Sequence, residues 1–122
     1  MNTASSASPL LLAGIWLAAG AAVTAVGLLG RAGKLPRQHW AGIRLPSTMR
    51  TKEAWYAGHV AGGPMLVVAG SGGLLTGVLL LLARPSAVVM QTVSLAAGAW
   101  LVVWVLLASC AAVRAARRTS SN

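Results

Sequence analysis

Three long stretches of the chain carry no charged residue, and the charged residues lie between and after them. The uncharged stretches cover residues 9–30, 60–83 and 87–113. A helix of 22 residues is about 33 Å long at 1.5 Å per residue, enough to cross a hydrocarbon core of about 30 Å. The pattern therefore predicts an all-α membrane protein with three transmembrane helices.

The four remaining segments, 1–8, 31–59, 84–86 and 114–122, differ in their basic residues. They carry none, six, one and three, respectively. Loops rich in lysine and arginine stay on the cytoplasmic side of a membrane. We therefore expect segments 1–8 and 84–86 to face outward, with 31–59 and the basic tail 114–122 in the cytoplasm. Because segment 1–8 lacks a positive charge, the first stretch is interpreted as a retained helix and not as a signal peptide.

Composition agrees with this interpretation and limits the partners. Hydrophobic residues make up 57% of the chain and charged residues 9%, whereas soluble domains are about a quarter charged. The net charge of +9 could indicate nucleic acid, but the charges stand only where membrane topology places them. Anionic lipid headgroups are the expected partner of the basic residues that flank the spans. These are Arg31, Lys34, Arg114, Arg117 and Arg118.

Small residues recur at helical spacing in the second stretch. Gly58 and Gly62 form one GxxxG pair, and Gly73 and Gly77 form another. Small residues let helix backbones approach closely in lipid, so we expect this glycine face to be the central helix contact. The alternative is that glycine and alanine are merely abundant in this composition.

Few groups are available for chemistry. The chain has one cysteine, Cys110, one acidic residue, Glu53, and two histidines, so neither a metal site nor a catalytic set can be assembled. No titratable side chain except Cys110 lies within the uncharged stretches, which argues against a transporter acting alone. We predict a protein that is not an enzyme and has no cofactor.

The first loop has more structure than a topological spacer needs. Thr51 is a candidate N-cap, and Glu53 stands in the first turn of the helix that follows. We expect that helix to continue through Pro64 with a kink. We also expect Glu53 to pair with Arg44, the alternative being a solvated carboxylate.

The segment from Gln38 to His59, QHWAGIRLPSTMRTKEAWYAGH, resembles the characteristic motif of the SdpI family of bacterial membrane proteins. Gln38 stands where that family more often has asparagine. The resemblance implies that the motif positions form an ordered cytoplasmic loop suited to binding a partner. The residues at those positions are Trp40, Gly42, Ile43, Arg44, Pro46, Thr48, Glu53, Trp55 and His59.

The resemblance also implies a location in the bacterial plasma membrane and a role without catalysis. The family's namesake confers immunity to a secreted peptide toxin and, when the toxin is present, holds a transcriptional repressor at the membrane, so the resemblance implies immunity or signalling. A structural subunit of a larger membrane complex is the alternative from another class, and an oligomeric small-molecule exporter is a third. Besides lipids, the expected partner is a protein or peptide, and homo-oligomerisation stays open.

Overall fold

The structure, a computed structural model, describes residues 3–38 and 40–120 and is helical without strands over those residues. Its helices are α1 (Thr3–Arg31), α2 (Pro46–Met49), α3 (Lys52–Ala83) and α4 (Ala87–Ser120). Three of them are long and apolar enough to cross a membrane, over Pro9–Arg31, Lys52–Ala83 and Ala87–Thr119. The predicted all-α architecture with three membrane helices is therefore confirmed.

Local sequence explains where α3 begins and why α4 extends beyond its uncharged stretch. The Thr51 side chain caps α3 by accepting a hydrogen bond from the Ala54 N–H at 3.0 Å, as predicted. The helix runs without a break through Pro64. α4 extends to Ser120, beyond residue 113 where the uncharged stretch ends. Its last turns are rich in alanine and arginine, both strong helix formers, and contain neither glycine nor proline.

α3 is the central helix of the bundle, and it packs against both α1 and α4. The contact with α1 is close because both helices present small residues every seven positions. Ala13, Gly20 and Gly27 on α1 face Gly77, Gly70 and Gly63 on α3. A Cβ atom added to Gly63 would lie 2.7 Å from the Gly27 carbonyl oxygen, and one added to Gly70 would lie 2.7 Å from that of Gly20. Such contact of backbones allows dispersion to hold helices together in lipid.

The contact of α3 with α4 uses a different set of small residues. A Cβ atom on Gly62 would lie 2.7 Å from the Ala108 carbonyl oxygen, and one on Gly58 would lie 3.3 Å from that of Ala112. Gly73 and Gly77, in contrast, face α1. The two GxxxG pairs therefore lie on different faces of α3 and contact different neighbours.

Two tryptophans connect the helices through their indole N–H groups. Trp100 on α4 donates to the Val68 carbonyl of α3 at 3.0 Å, and Gly72 leaves the space that its ring occupies. Trp104 lies beside Trp100, with the ring centroids 5.6 Å apart. Trp16 on α1 donates to the Ser94 hydroxyl of α4 at 3.3 Å. Both hydrogen bonds satisfy indole N–H groups that lipid could not satisfy.

Candidate functional site

The candidate site is the connecting loop, residues 32–51, together with the first two turns of α3. α1 ends in a glycine cap, with Gly33 at φ +72°. The Gly33 N–H donates to the Gly30 carbonyl at 3.0 Å, and the Lys34 N–H donates to the Leu29 carbonyl at 2.8 Å. This pair of bonds is the Schellman arrangement, which reverses the chain at a helix end. The loop therefore turns back over the end of the bundle.

His59 joins the middle of the loop to α3. Its Nε2 atom accepts a hydrogen bond from the Ile43 backbone N–H at 2.8 Å, and Nδ1 lies 2.8 Å from the Trp55 carbonyl oxygen. An Nε2 atom that accepts carries no proton, so the proton is on Nδ1 and is donated to Trp55. The buried imidazole is thus neutral, in one tautomer, with both nitrogens satisfied.

Gly42 allows the loop to approach His59 this closely. Its φ of +101° lies outside the range that side chains tolerate. An added Cβ atom would also lie 2.7 Å from His59 Nε2 and 3.2 Å from Trp55 Cη2. Glycine is therefore required here for two independent reasons, conformation and space.

Trp55 and Thr48 hold the two ends of the loop. Trp55 is fully buried, and its indole N–H donates to the Leu35 carbonyl at 2.9 Å. The fully buried Thr48 hydroxyl donates to the Ile43 carbonyl at 2.6 Å and accepts from the Leu45 N–H at 3.0 Å. The second bond starts α2, whose first residue is Pro46.

Three further side chains shape the loop, and sequence reasoning gave them no such role. The Gln38 amide oxygen accepts from the N–H groups of Trp40, at 2.9 Å, and Ala41, at 2.8 Å. Arg37 donates to the Met49 carbonyl at 2.7 Å, and Arg50 donates to the Ala116 carbonyl of α4 at 3.3 Å. The signal for this turn in the sequence is the side-chain amide of Gln38, which stands two residues before Trp40 and three before Ala41. The Gln38 amide oxygen therefore satisfies both backbone N–H groups of this turn.

The remaining motif side chains are exposed at the surface. Trp40 is 81% exposed, and Arg44, Pro46 and Glu53 are also exposed. The expected ion pair between Glu53 and Arg44 stays a prediction, and both side chains are exposed. Arg44 lines a cavity between the loop, α1 and α4, whereas Glu53 stands in the exposed first turn of α3. The motif thus divides into two parts. We call Gly42, Ile43, Thr48, Trp55 and His59 the buried frame, and Trp40, Arg44, Pro46 and Glu53 the exposed face.

The part of the chain that the structure describes contains no group of three histidine, cysteine or acidic side chains that could hold a metal ion. The lone thiol, Cys110, is exposed on α4 and forms no disulfide. What the site offers is a shaped surface of fixed backbone with one large aromatic side chain on it.

Comparison with known proteins gives the family. No curated protein and no solved structure matches the chain. Residues 34–114, about two thirds of the chain, match the SdpI/YfhL protein family. That match contains the whole of the buried frame and its exposed face, together with α3 and most of α4. The described residues contain three helices that are long and apolar enough to cross a membrane, and the chain belongs to the SdpI/YfhL family of membrane proteins.

Proposed function

We propose that this membrane protein is not an enzyme and binds a protein or peptide partner through the exposed face of its connecting loop, in peptide-toxin immunity or in signalling. The observation that carries the proposal is the exposure of Trp40 on a loop whose backbone is held by hydrogen bonds to side chains. Large aromatic side chains dominate the energetics of binding surfaces. A surface that is ordered before binding also avoids the entropy cost of ordering it.

The buried frame supports this proposal by fixing the loop that carries Trp40. The Gln38 side chain accepts a hydrogen bond from the Trp40 N–H. Three residues after Trp40, the Ile43 N–H donates to His59. Arg44 and Pro46 lie on the same stretch and are exposed. In this proposal Trp40, Arg44, Pro46 and Glu53 contact the partner, and Gly42, Ile43, Thr48, Trp55 and His59 position them.

In this proposal the protein lies in the bacterial plasma membrane, and the charge distribution supports a cytoplasmic location for the loop and the C-terminus. Every basic residue except Arg84 belongs to the loop, to the helix ends beside it or to the end of α4. The bond from Arg50 to Ala116 brings the loop and the end of α4 together. The positive-inside rule assigns that end to the cytoplasm.

The proposal is tested by comparing Trp40→Ala and Arg44→Ala with Leu82→Ala. Leu82 is an exposed apolar side chain close to the opposite end of α3 and serves as the matched control. Crosslinking in membranes followed by purification should recover a partner with the parent and with Leu82→Ala, and much less with the two loop variants. Tolerance to the cognate peptide toxin should fall in parallel if the role is immunity. Equal recovery with all variants would reject the loop as the binding surface.

The same experiment separates this function from that of a structural subunit. A structural subunit would bring down a stable set of membrane proteins, and its recovery would be insensitive to Trp40→Ala. It would instead depend on the lipid-facing side of α4, where Val102 and Leu106 are exposed.

A further inference from the structure

The His59 ring is enclosed where the end of α1, the connecting loop and α3 meet. A Cβ atom added to Gly30, on α1, would lie 3.0 Å from His59 Cβ, and one added to Gly42, in the loop, would lie 2.7 Å from Nε2. The Trp55 ring lies against the imidazole, with the centroids 4.1 Å apart. His59 is fully buried, so the protein supplies the hydrogen-bond partners of both ring nitrogens.

This arrangement accommodates only the neutral ring. Nε2 accepts a hydrogen bond from the Ile43 backbone N–H at 2.8 Å, and a backbone N–H has no capacity to accept one in return. A proton added to Nε2 would therefore face another donor. The protonated ring and the bond from Ile43 exclude each other, and His59 takes up a proton only when this part of the loop moves away.

The surrounding elements offer no nearby negative charge to the ring. Gly30, Gly42, Ile43 and Trp55, which surround it, carry no charge. The charged side chains of the same three elements are all exposed, namely Arg31 of α1, Lys34, Arg37, Arg44 and Arg50 of the loop, and Lys52 and Glu53 of α3. Glu53 is the one acidic residue of the chain, and it stands six positions before His59, about 9 Å along the helix axis. A positive charge on the enclosed ring is therefore not offset by a carboxylate.

We propose that His59 is a pH switch, in which the neutral ring holds the loop on α3 through Ile43 and protonation of the ring releases it. In the open loop the ring meets water and titrates with the ordinary histidine pKa of about 6.5. The open state then binds a proton that the closed state excludes, so acid favours opening. Loop order is present above about pH 6.5 and is lost progressively as the pH falls below that value. The inference goes beyond the proposed function, because it concerns the order of the loop and requires no partner.

Amide hydrogen exchange of the full-length protein in micelles tests the switch. His39→Ala is the parent for this experiment, so that His59 is its one histidine. After correction for the intrinsic pH dependence of exchange, protection of the Ile43 N–H should fall about 30-fold between about pH 7.5 and about pH 5.0, the ratio expected when only the open state titrates. The Ala54 N–H is bonded to the Thr51 hydroxyl and not to His59, so its protection should stay constant.

His59→Gln supplies the matched variant. Its amide oxygen can accept from the Ile43 N–H, and the side chain does not titrate, so the pH dependence should disappear. In the parent, ¹⁵N signals of His59 should change to those of the doubly protonated ring over the same pH range in which Ile43 loses protection. Constant protection of Ile43, an equal loss at Ala54, the same loss in His59→Gln, or a doubly protonated ring with Ile43 still protected would each overturn the proposal.

Discussion

His59 shows at the level of one residue how the loop is held. Its Nε2 accepts from the Ile43 N–H and its Nδ1 donates to Trp55, so the ring acts as a fixed bridge between loop and helix. A buried ring with both nitrogens bonded to backbone has no group free to act on a substrate. The residue that most invites a catalytic interpretation in the sequence is thus a structural one.

The assigned tautomer can be measured directly. In protein labelled with ¹⁵N-histidine, His59 at neutral pH should show a protonated Nδ1 and an unprotonated Nε2, because Nε2 accepts a hydrogen bond. A His39→Ala variant assigns the signals, since these are the two histidines of the chain. A proton on Nε2 would contradict the bridge.

Gly42 and Gly33 form a matched pair for testing the loop conformation. Both have positive φ, but only at Gly42 would a Cβ atom meet neighbouring atoms. Gly42→Ala should expose the loop to trypsin and lower the free energy of unfolding by about 1–3 kcal/mol, from backbone strain and from contact with His59. Gly33→Ala should cost only the strain of its left-handed conformation, about 1 kcal/mol. Similar protease sensitivity in the two variants would show that the approach of Gly42 to His59 is not what orders the loop.

At the scale of elements, α1 and α3 make the closest contact of the bundle. Their small residues repeat every seven positions, a period that keeps one face in register when two helices coil around each other left-handedly. Backbone touches backbone at Gly20, Gly27, Gly63 and Gly70. A side chain at any of these positions requires the helices to separate.

Gly70→Ala should therefore destabilise the bundle, whereas Gly98→Ala should not. At Gly70 the new Cβ atom would meet Thr24 and the Gly20 carbonyl, and at Gly98 it would meet nothing within 4 Å. Overpacking of this kind costs about 1–3 kcal/mol, and alanine in an open helix position is favourable by up to about 1 kcal/mol. Unfolding in mixed detergent micelles measures both. A Gly70→Ala protein as stable as its parent would contradict the close packing of α1 and α3.

Local signals in the sequence predicted the three long helices, but neither the short α2 nor the contacts between the elements. Apolar length predicted the three spans, and the Thr51 cap predicted the start of α3, because both depend on neighbouring residues. The bond between Ile43 and His59 joins positions 16 apart, and it becomes visible only when the loop folds over α3. The seven-residue repeat of small residues on α1 likewise indicates a helix contact only together with the matching repeat on α3. The motif could be identified from sequence, but its division into frame and exposed face could not.

At the scale of the whole molecule, the two ends of the bundle differ in charge and in shape. One end carries the ordered loop and all basic residues except Arg84, and the other carries the short turn 84–86.

With Cys110 replaced by serine, a cysteine at Ser47 in the loop should react with a membrane-impermeant thiol reagent only after cells are opened. A cysteine at Ser86 should react in intact cells. The reverse pattern would invert the proposed orientation.

Photo-crosslinking from position 40 in living cells tests whether the exposed face of the connecting loop contacts a partner. A photoreactive amino acid that replaces Trp40 should crosslink to one partner, and the same amino acid at the control position Leu82 should not. Replacing Arg44 with alanine should reduce that crosslink. Crosslinks from position 40 that are only to lipid, or that are the same as those from position 82, would contradict the account.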